Sequence, residues 1–251
     1  MRLKYNLTLQ ELMDYFCDRE YSGFTEHEIQ VAEQSMGIAL PAAYRSFFLK
    51  YGQEDINAVF DNLFCSPQEC RTSYQMIHEF LEELQEDFET SVRDGEQEEY
   101  ADNEYFSLWQ MPEEEWHRIT QNYLLVGVDR EGISYTGYLI EDLQDSREDP
   151  PVYLSCDDDI IKFKKWNDNT EQFLLEMICE SAWENERLEW YDPEERLSVK
   201  EIFAYFHVDI DIKQFKVSGH VGTCLDTDDG KLYVYFDYGS FQRLFYVSKE
   251  N

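Results

Sequence analysis

The stretch TEHEIQVAEQSMGIALPAAYRSFFLKYG, residues 25–52, decides the fold. Thr25 followed by Glu28 has capping-box spacing, Ile29, Ala32 and Met36 recur at helical intervals, and Gly37 closes the helix. Leu40 and Pro41 restart the chain, and Pro41 suits the first turn of a second helix. Tyr44, Phe47, Phe48 and Tyr51 give that helix an aromatic face before Gly52 ends it. The expectation is two short helices packed around aromatic side chains.

Downstream the period changes. Asn122 to Asp129 is aliphatic and β-branched, Arg130 to Gly132 reads as a turn, and Ile133 to Ile140 pairs back as a hairpin. Pro150 and Pro151 precede a short strand from Val152 to Ser155, a position proline tolerates. Asn169 or Thr170 caps a helix whose buried stripe is Phe173, Leu174, Met177, Ile178 and Ala182. After the charged run Asn185 to Arg196, three strands are expected at Val217–Leu225, Lys231–Asp237 and Gln242–Val247. They turn at Asp228, Asp229 and Gly230, and again at Gly239.

Charge narrows the partner. The 251 residues carry 54 Asp plus Glu against 21 Lys plus Arg, a net of -33, which repels nucleic acid and anionic membranes and attracts basic proteins. With 43% hydrophobic residues and 17 Phe, 18 Tyr and 5 Trp, the chain can still build a core, so this is not an acidic disordered tail. The acid is uneven: from Glu79 to Glu115 the one basic residue is Arg93. Between Ser73 and Glu89, Ile77, Phe80, Leu81, Leu84 and Phe88 share one helical face, leaving Glu79, Glu82, Glu83, Glu86 and Asp87 on the others. Asp94 to Asn103 is polar and like-charged, so a mobile loop is expected there.

Other chemistry is thinly represented. His27, His78, His117, His207 and His220 are isolated in sequence, with no nucleophile motif around them. Cys65 and Cys70 lack zinc-knuckle spacing, and the six cysteines read as reduced thiols, several of them buried. Asp226, Asp228, Asp229 and Gly230 fail the calcium-loop register and are better explained as a hairpin turn. Asp157, Asp158 and Asp159 read as an acidic loop. No glycine-rich phosphate loop is present, no metal or cofactor is expected, and direct nucleic-acid or membrane binding is disfavoured. The opening residues lack the apolar run of a signal peptide, so a cytoplasmic location is expected.

The chain resembles the SUKH superfamily of SMI/KNR-like domains in two blocks. The first holds Glu33, Gly37, Leu40, Pro41, Tyr44, Arg45, Phe47 and Phe48; the second holds Leu124, Leu125, Val126, Gly127, Asp129 and Gly132, then Pro151, Val152 and Tyr153, then Glu171, Phe173 and Leu174. Lys50, Tyr51, Gly52 and Gln53 depart from the Asn-Gly or Gly-Gly usual after the aromatic helix. The resemblance implies an α+β fold, an antiparallel sheet packed by helices. Residues 1–184 would form the SUKH-like domain with an acidic insertion at 65–115, and 185–251 a β-rich C-terminal extension.

It also implies a role. Such domains serve widely as immunity proteins of bacterial polymorphic toxin systems, and many of the toxins are basic nucleases. The chain is therefore expected to be a non-enzymatic immunity protein that neutralises a cognate basic toxin domain, such as a nuclease. The expected surface is Glu82, Glu83, Glu86 and Asp87 with Glu98, Glu99 and Asp102, joined by Asp157, Asp158 and Asp159. Tyr100, Tyr105 and Phe106 would be its aromatic anchors. The alternative implied by the same family is an intracellular scaffold or regulatory protein-binding module.

Overall fold

In the computed structural model, helices α1 (Leu9–Phe16) and α2 (Glu26–Met36) both begin on capping boxes. At α2 the Glu28 amide donates to Thr25 Oγ1 at 3.2 Å while the Thr25 amide donates to Glu28 Oε2 at 2.7 Å, satisfying two otherwise orphaned donors. Gly37 closes α2 at φ 69°, in the left-handed region where a Cβ is penalised. The structure describes residues 1–17, 20–59, 66–94, 108–128, 133–144, 149–156, 159–181 and 189–248.

Glu33 ties the corner between α2 and α3 (Ala42–Lys50). Its Oε1 accepts the Leu40 amide at 3.0 Å and lies 3.4 Å from Arg45 Nε, and Arg45 Nη1 also donates to Glu26 Oε2 at 2.9 Å. Tyr44, Phe47, Phe48 and Tyr51 are all buried, as their spacing predicts. Gly52, expected to end the helix, is glycine for a steric reason. A Cβ there would lie 2.0 Å from the Ser22 carbonyl oxygen, and one on Gly23 would lie 2.0 Å from that of Leu49. Two backbone segments touch, and buried Asp55 fastens them by accepting the Ser22 and Gly52 amides at 2.9 and 3.0 Å. Asp55 belongs to α4 (Gln53–Val59), which follows directly.

Further along lie β1 (Leu3–Tyr5), β2 (Arg71–Thr72), α5 (Ser73–Asp94), α6 (Glu113–Ile119), β3 (Tyr123–Val128), β4 (Tyr135–Leu139), α7 (Ile140–Gln144), β5 (Val152–Cys156), β6 (Asp159–Asn167) and α8 (Thr170–Ser181). They are followed by β7 (Glu189–Tyr191), α9 (Val199–Tyr205), β8 (Val221–Asp226), β9 (Lys231–Asp237) and β10 (Gln242–Ser248). The fold is α+β. Among the described residues the strands form two five-stranded sheets, ordered β1-β8-β9-β10-β7 and β2-β3-β4-β5-β6, and every pairing whose register is described is antiparallel.

The chain divides into two compact units: Met1–Phe24 with Ser46–Asp61 and Asn167–Asn251, and Thr25–Arg45 with Asn62–Trp166. The second unit is cored by Met76, Ile77, Leu81 and Leu84 of α5 against Trp116, Tyr123 and Leu125, each worth roughly 1.5–3 kcal/mol when fully withdrawn from water. In the first unit, Ile202 and Phe203 of α9 pack with Phe215 against Cys224, Tyr233, Tyr235 and Leu244. Residues 3–5 complete that sheet: Leu3, Lys4 and Tyr5 stand opposite Asp226, Leu225 and Cys224.

The structure also departs from the sequence reading elsewhere. Val217 to His220 is a turn, closed by the Ser218–Val221 bridge with Gly219 at φ 61°, so the strand begins at Val221. The charged run near residue 190 contains β7, which is held by register to β10. Strand β6 was not anticipated; it occupies a sheet edge, with Ile161 and Phe163 packed toward the core and Lys162 and Lys164 exposed. Outward lysines are a common guard against edge-to-edge pairing. Helix α4 was also unread. The loop expected at Asp94–Asn103 lies, from 95 onward, outside the described residues.

Candidate functional site

Helix α5 starts on a reciprocal cap that fixes its direction: the Gln75 amide donates to Thr72 Oγ1 at 3.1 Å and the Thr72 amide to Gln75 Oε1 at 2.8 Å. Thr72 also stands opposite Leu124 in the β2–β3 ladder, so the helix springs directly from the sheet. Met76, Ile77, Leu81 and Leu84 then turn inward, and Phe88 packs on Trp109 with ring centroids 5.4 Å apart. With that stripe fixed, the 3.6-residue period leaves Glu82, Glu83, Glu86, Asp87 and Glu89 exposed. Glu79, also exposed, pairs with Arg71 at 2.5 Å.

This face is electrostatically costly to the helix. Glu79, Glu83 and Asp87 form one i,i+4 row and Glu82 with Glu86 another, and such like-charge pairs destabilise a helix by about 0.2–0.5 kcal/mol each. Of the other residues expected at the surface, Glu98, Glu99, Tyr100, Asp102, Tyr105 and Phe106 lie outside the described residues, as do Asp157 and Asp158. Asp159 opens β6.

Two polar assemblies escaped sequence reasoning because their members are distant in the chain. In the first unit, Glu176 on α8 is 1% exposed and accepts Asn167 Nδ2 at 2.6 Å, with His220 Nδ1 at 3.1 Å from its Oε2. One turn on, Glu180 accepts the Tyr238 hydroxyl, and the Tyr238 and His220 rings stack at 4.9 Å. Burial pushes the Glu180 carboxyl up to about 7, with the neighbouring Glu176 charge adding to the effect, and burial pushes the Tyr238 phenol up as well. The arrangement can hold and release a proton near neutral pH. The i,i+4 spacing of Glu176 and Glu180 was the only signal in sequence. In the second unit the fold brings His78 to Glu113 and His117.

Two of the thiols are held protonated by burial. Among the described residues Cys17, Cys70, Cys156, Cys179 and Cys224 form no disulfide, and burial raises Cys224 to about 12 and Cys179 well above an ordinary thiol. Asp226 to Gly230 forms the β8–β9 turn: buried Asp226 accepts the Asp228 amide at 3.0 Å, and Gly230 takes φ 67°. Against the overall charge, Arg2, Lys4, Lys213 and Lys216 meet in an open surface cavity of about 730 Å³ in the first unit. Among the described residues no helix is long and apolar enough to cross a membrane.

A family model, that of the SMI1 / KNR4 family (SUKH-1), matches residues 23–176, more than half of the chain. The match runs from the approach to α2 into α8 and takes in the whole of α5. No curated protein and no solved structure matches the chain.

Proposed function

The chain belongs to the SMI1 / KNR4 family (SUKH-1), and from that premise we propose that it is a non-catalytic immunity protein that neutralises a cognate basic toxin domain, such as a nuclease, by occupying its basic surface. The observation that carries the reading is the exposed carboxylate row Glu82, Glu83, Glu86 and Asp87 on a helix anchored by its other face. A row of like charges that opposes helix formation on an exposed face has its best explanation in a ligand of opposite charge. The rest of the surface is proposed to come from Glu98, Glu99, Tyr100, Asp102, Tyr105 and Phe106 in the segment that follows, and from Asp157, Asp158 and Asp159. The acidic side chains along 65–115, rather than the helix that bears them, are then the part particular to this member.

The net charge of -33 adds a kinetic argument. Complementary fields steer encounter and can bring association to about 10⁸ M⁻¹s⁻¹ or faster at low salt. A protein that must intercept a toxin before it acts benefits from rate as well as affinity.

The test begins with co-expression of the chain and the toxin encoded beside it, scored by growth rescue and co-purification. Stopped-flow association is then followed across a salt series for the wild type and for Glu82→Lys, Glu83→Lys, Glu86→Lys and Asp87→Lys combined. Slower association with a shallower salt dependence is expected from the variant; identical rates and slopes would move the interface off α5. Rescue of growth without co-purification would argue against neutralisation by binding.

A further inference from the structure

Helix α5 presents His78 and helix α6 presents Glu113 and His117, one turn apart, so that the ligand atoms of the three lie within 4.8 Å of one another. Glu113 Oε1 is 3.3 Å from His78 Nε2 and 3.5 Å from His117 Nε2. Ligand atoms on a tetrahedral zinc, with bonds of about 2.0–2.2 Å, stand roughly 3.3–3.5 Å apart. Two edges of that figure are already in place.

Hydrogen bonding explains only one of these approaches. His78 Nε2 and Glu113 Oε1 meet with hydrogen-bond geometry, whereas His117 Nε2 is buried and has no hydrogen-bond partner among the described residues. Its ring is held rather than adrift: it stacks on Tyr74 at 4.2 Å and 5°, and meets Trp116 edge-on at 4.1 Å. Trp116, 2% exposed, also meets the His78 ring edge-on at 5.4 Å. One buried indole thus orients both imidazoles, and Tyr74 is itself fixed by donating to the His117 and Thr120 carbonyls at 3.2 and 3.1 Å. A buried ring nitrogen without a partner, aimed at a carboxylate and a second imidazole, is the arrangement a cation completes.

We propose that His78, Glu113 and His117 form a site for a divalent transition-metal ion, zinc foremost. Imidazole and carboxylate donors suit zinc, nickel and cobalt, and disfavour magnesium and calcium, which take all-oxygen shells. Three protein ligands leave the fourth position open to water. The negative field of the chain favours any cation, but the two imidazoles select among them. The ion would staple α6 to α5 at the base of the acidic face.

The experiment uses the full chain stripped with chelator and titrated calorimetrically with zinc in excess magnesium, with cobalt(II) absorption as a second readout. One zinc per chain is expected, with the cobalt spectrum of a four-coordinate nitrogen and oxygen site. Loss of an outer partner alone weakens metal sites by about 10–100-fold, so His78→Gln and Glu113→Gln should each weaken zinc by roughly 100-fold or more. Both residues are exposed, so these variants keep the fold where His117→Ala disturbs the Tyr74 stack. Weak, multiple binding displaced by magnesium, affinity unchanged in both variants, or a thiolate-to-cobalt charge-transfer band would each overturn the site.

Discussion

The Tyr44 hydroxyl donates to the Val126 carbonyl at 2.9 Å. The register between β3 and β4 shifts between Leu125 and Gly127, a bulge that takes Val126 out of the ladder. An aromatic residue of the α3 helix thus bonds the strand at its bulge, while its ring sits edge-on to Tyr138 at 5.9 Å. Within the second unit, the same contact joins Tyr44 of the first sequence block that carries the family likeness to Val126 of the second.

Tyr44→Phe keeps the ring and removes the donor. With Tyr44 fully buried, water cannot replace the bond, and a stranded buried carbonyl costs about 1–3 kcal/mol. Urea unfolding should show a lower midpoint at an unchanged m-value. An unchanged midpoint would mean that the bulge relaxes to repair itself.

The glycines separate two kinds of strain. Gly37→Ala puts a Cβ on a left-handed residue with nothing within 4 Å, a penalty of about 1 kcal/mol. Gly52→Ala drives a Cβ to 2.0 Å from the Ser22 carbonyl oxygen, which only backbone movement relieves, so a loss of about 3 kcal/mol or more is expected. Thermal unfolding of the two variants side by side should rank Gly52→Ala far lower; equal losses would contradict the close backbone approach.

What was legible in sequence was local. The Thr25–Glu28 box, the left-handed stop at Gly37, the inward face of α5 and the full span of β9 follow from period and capping, which act within a few residues. The reason for Gly52 was not legible, because it lies across a backbone contact with Ser22. Strand β6 was hidden by its lysines, which obey a sheet-edge rule that applies only once the sheet exists. The acidic row could be placed on α5 from spacing alone, but His117 reaches His78 across 39 positions, and no periodicity connects them.

Glu180 predicts a pH effect with a definite sign. Its folded value of about 7 lies above the ordinary 4.5, so the stability attached to the neutral carboxyl is fully present below about pH 4.5 and is lost as pH rises through about 7. Glu180 keeps part of its surface in solvent, so the loss is roughly 1–2 kcal/mol after screening. Glu180→Gln keeps an uncharged group beside Tyr238, Glu176 and His220 at every pH. In urea titrations the variant should match the wild type near pH 4.5 and exceed it at pH 8. A difference that stays flat between those pH values would show that Glu180 does not titrate there.

Glu83→Lys sets the cost of the acidic face against its proposed use. Glu83 stands one turn from both Glu79 and Asp87, so the substitution turns two repulsive i,i+4 pairs into attractive ones and should stabilise α5 by roughly 0.5–1 kcal/mol. For a chain of this size that raises Tm by about 2 °C. The side chain is exposed, so burial gives folding no reason to favour the glutamate. If the row serves a basic partner, the more stable variant should associate more slowly, and the gap between the two proteins should close as salt rises beyond the screening range of about 8 Å reached at 0.15 M. A variant that is both more stable and as fast to associate would leave Glu83 outside the interface, and the acid of α5 would then be a solvated face.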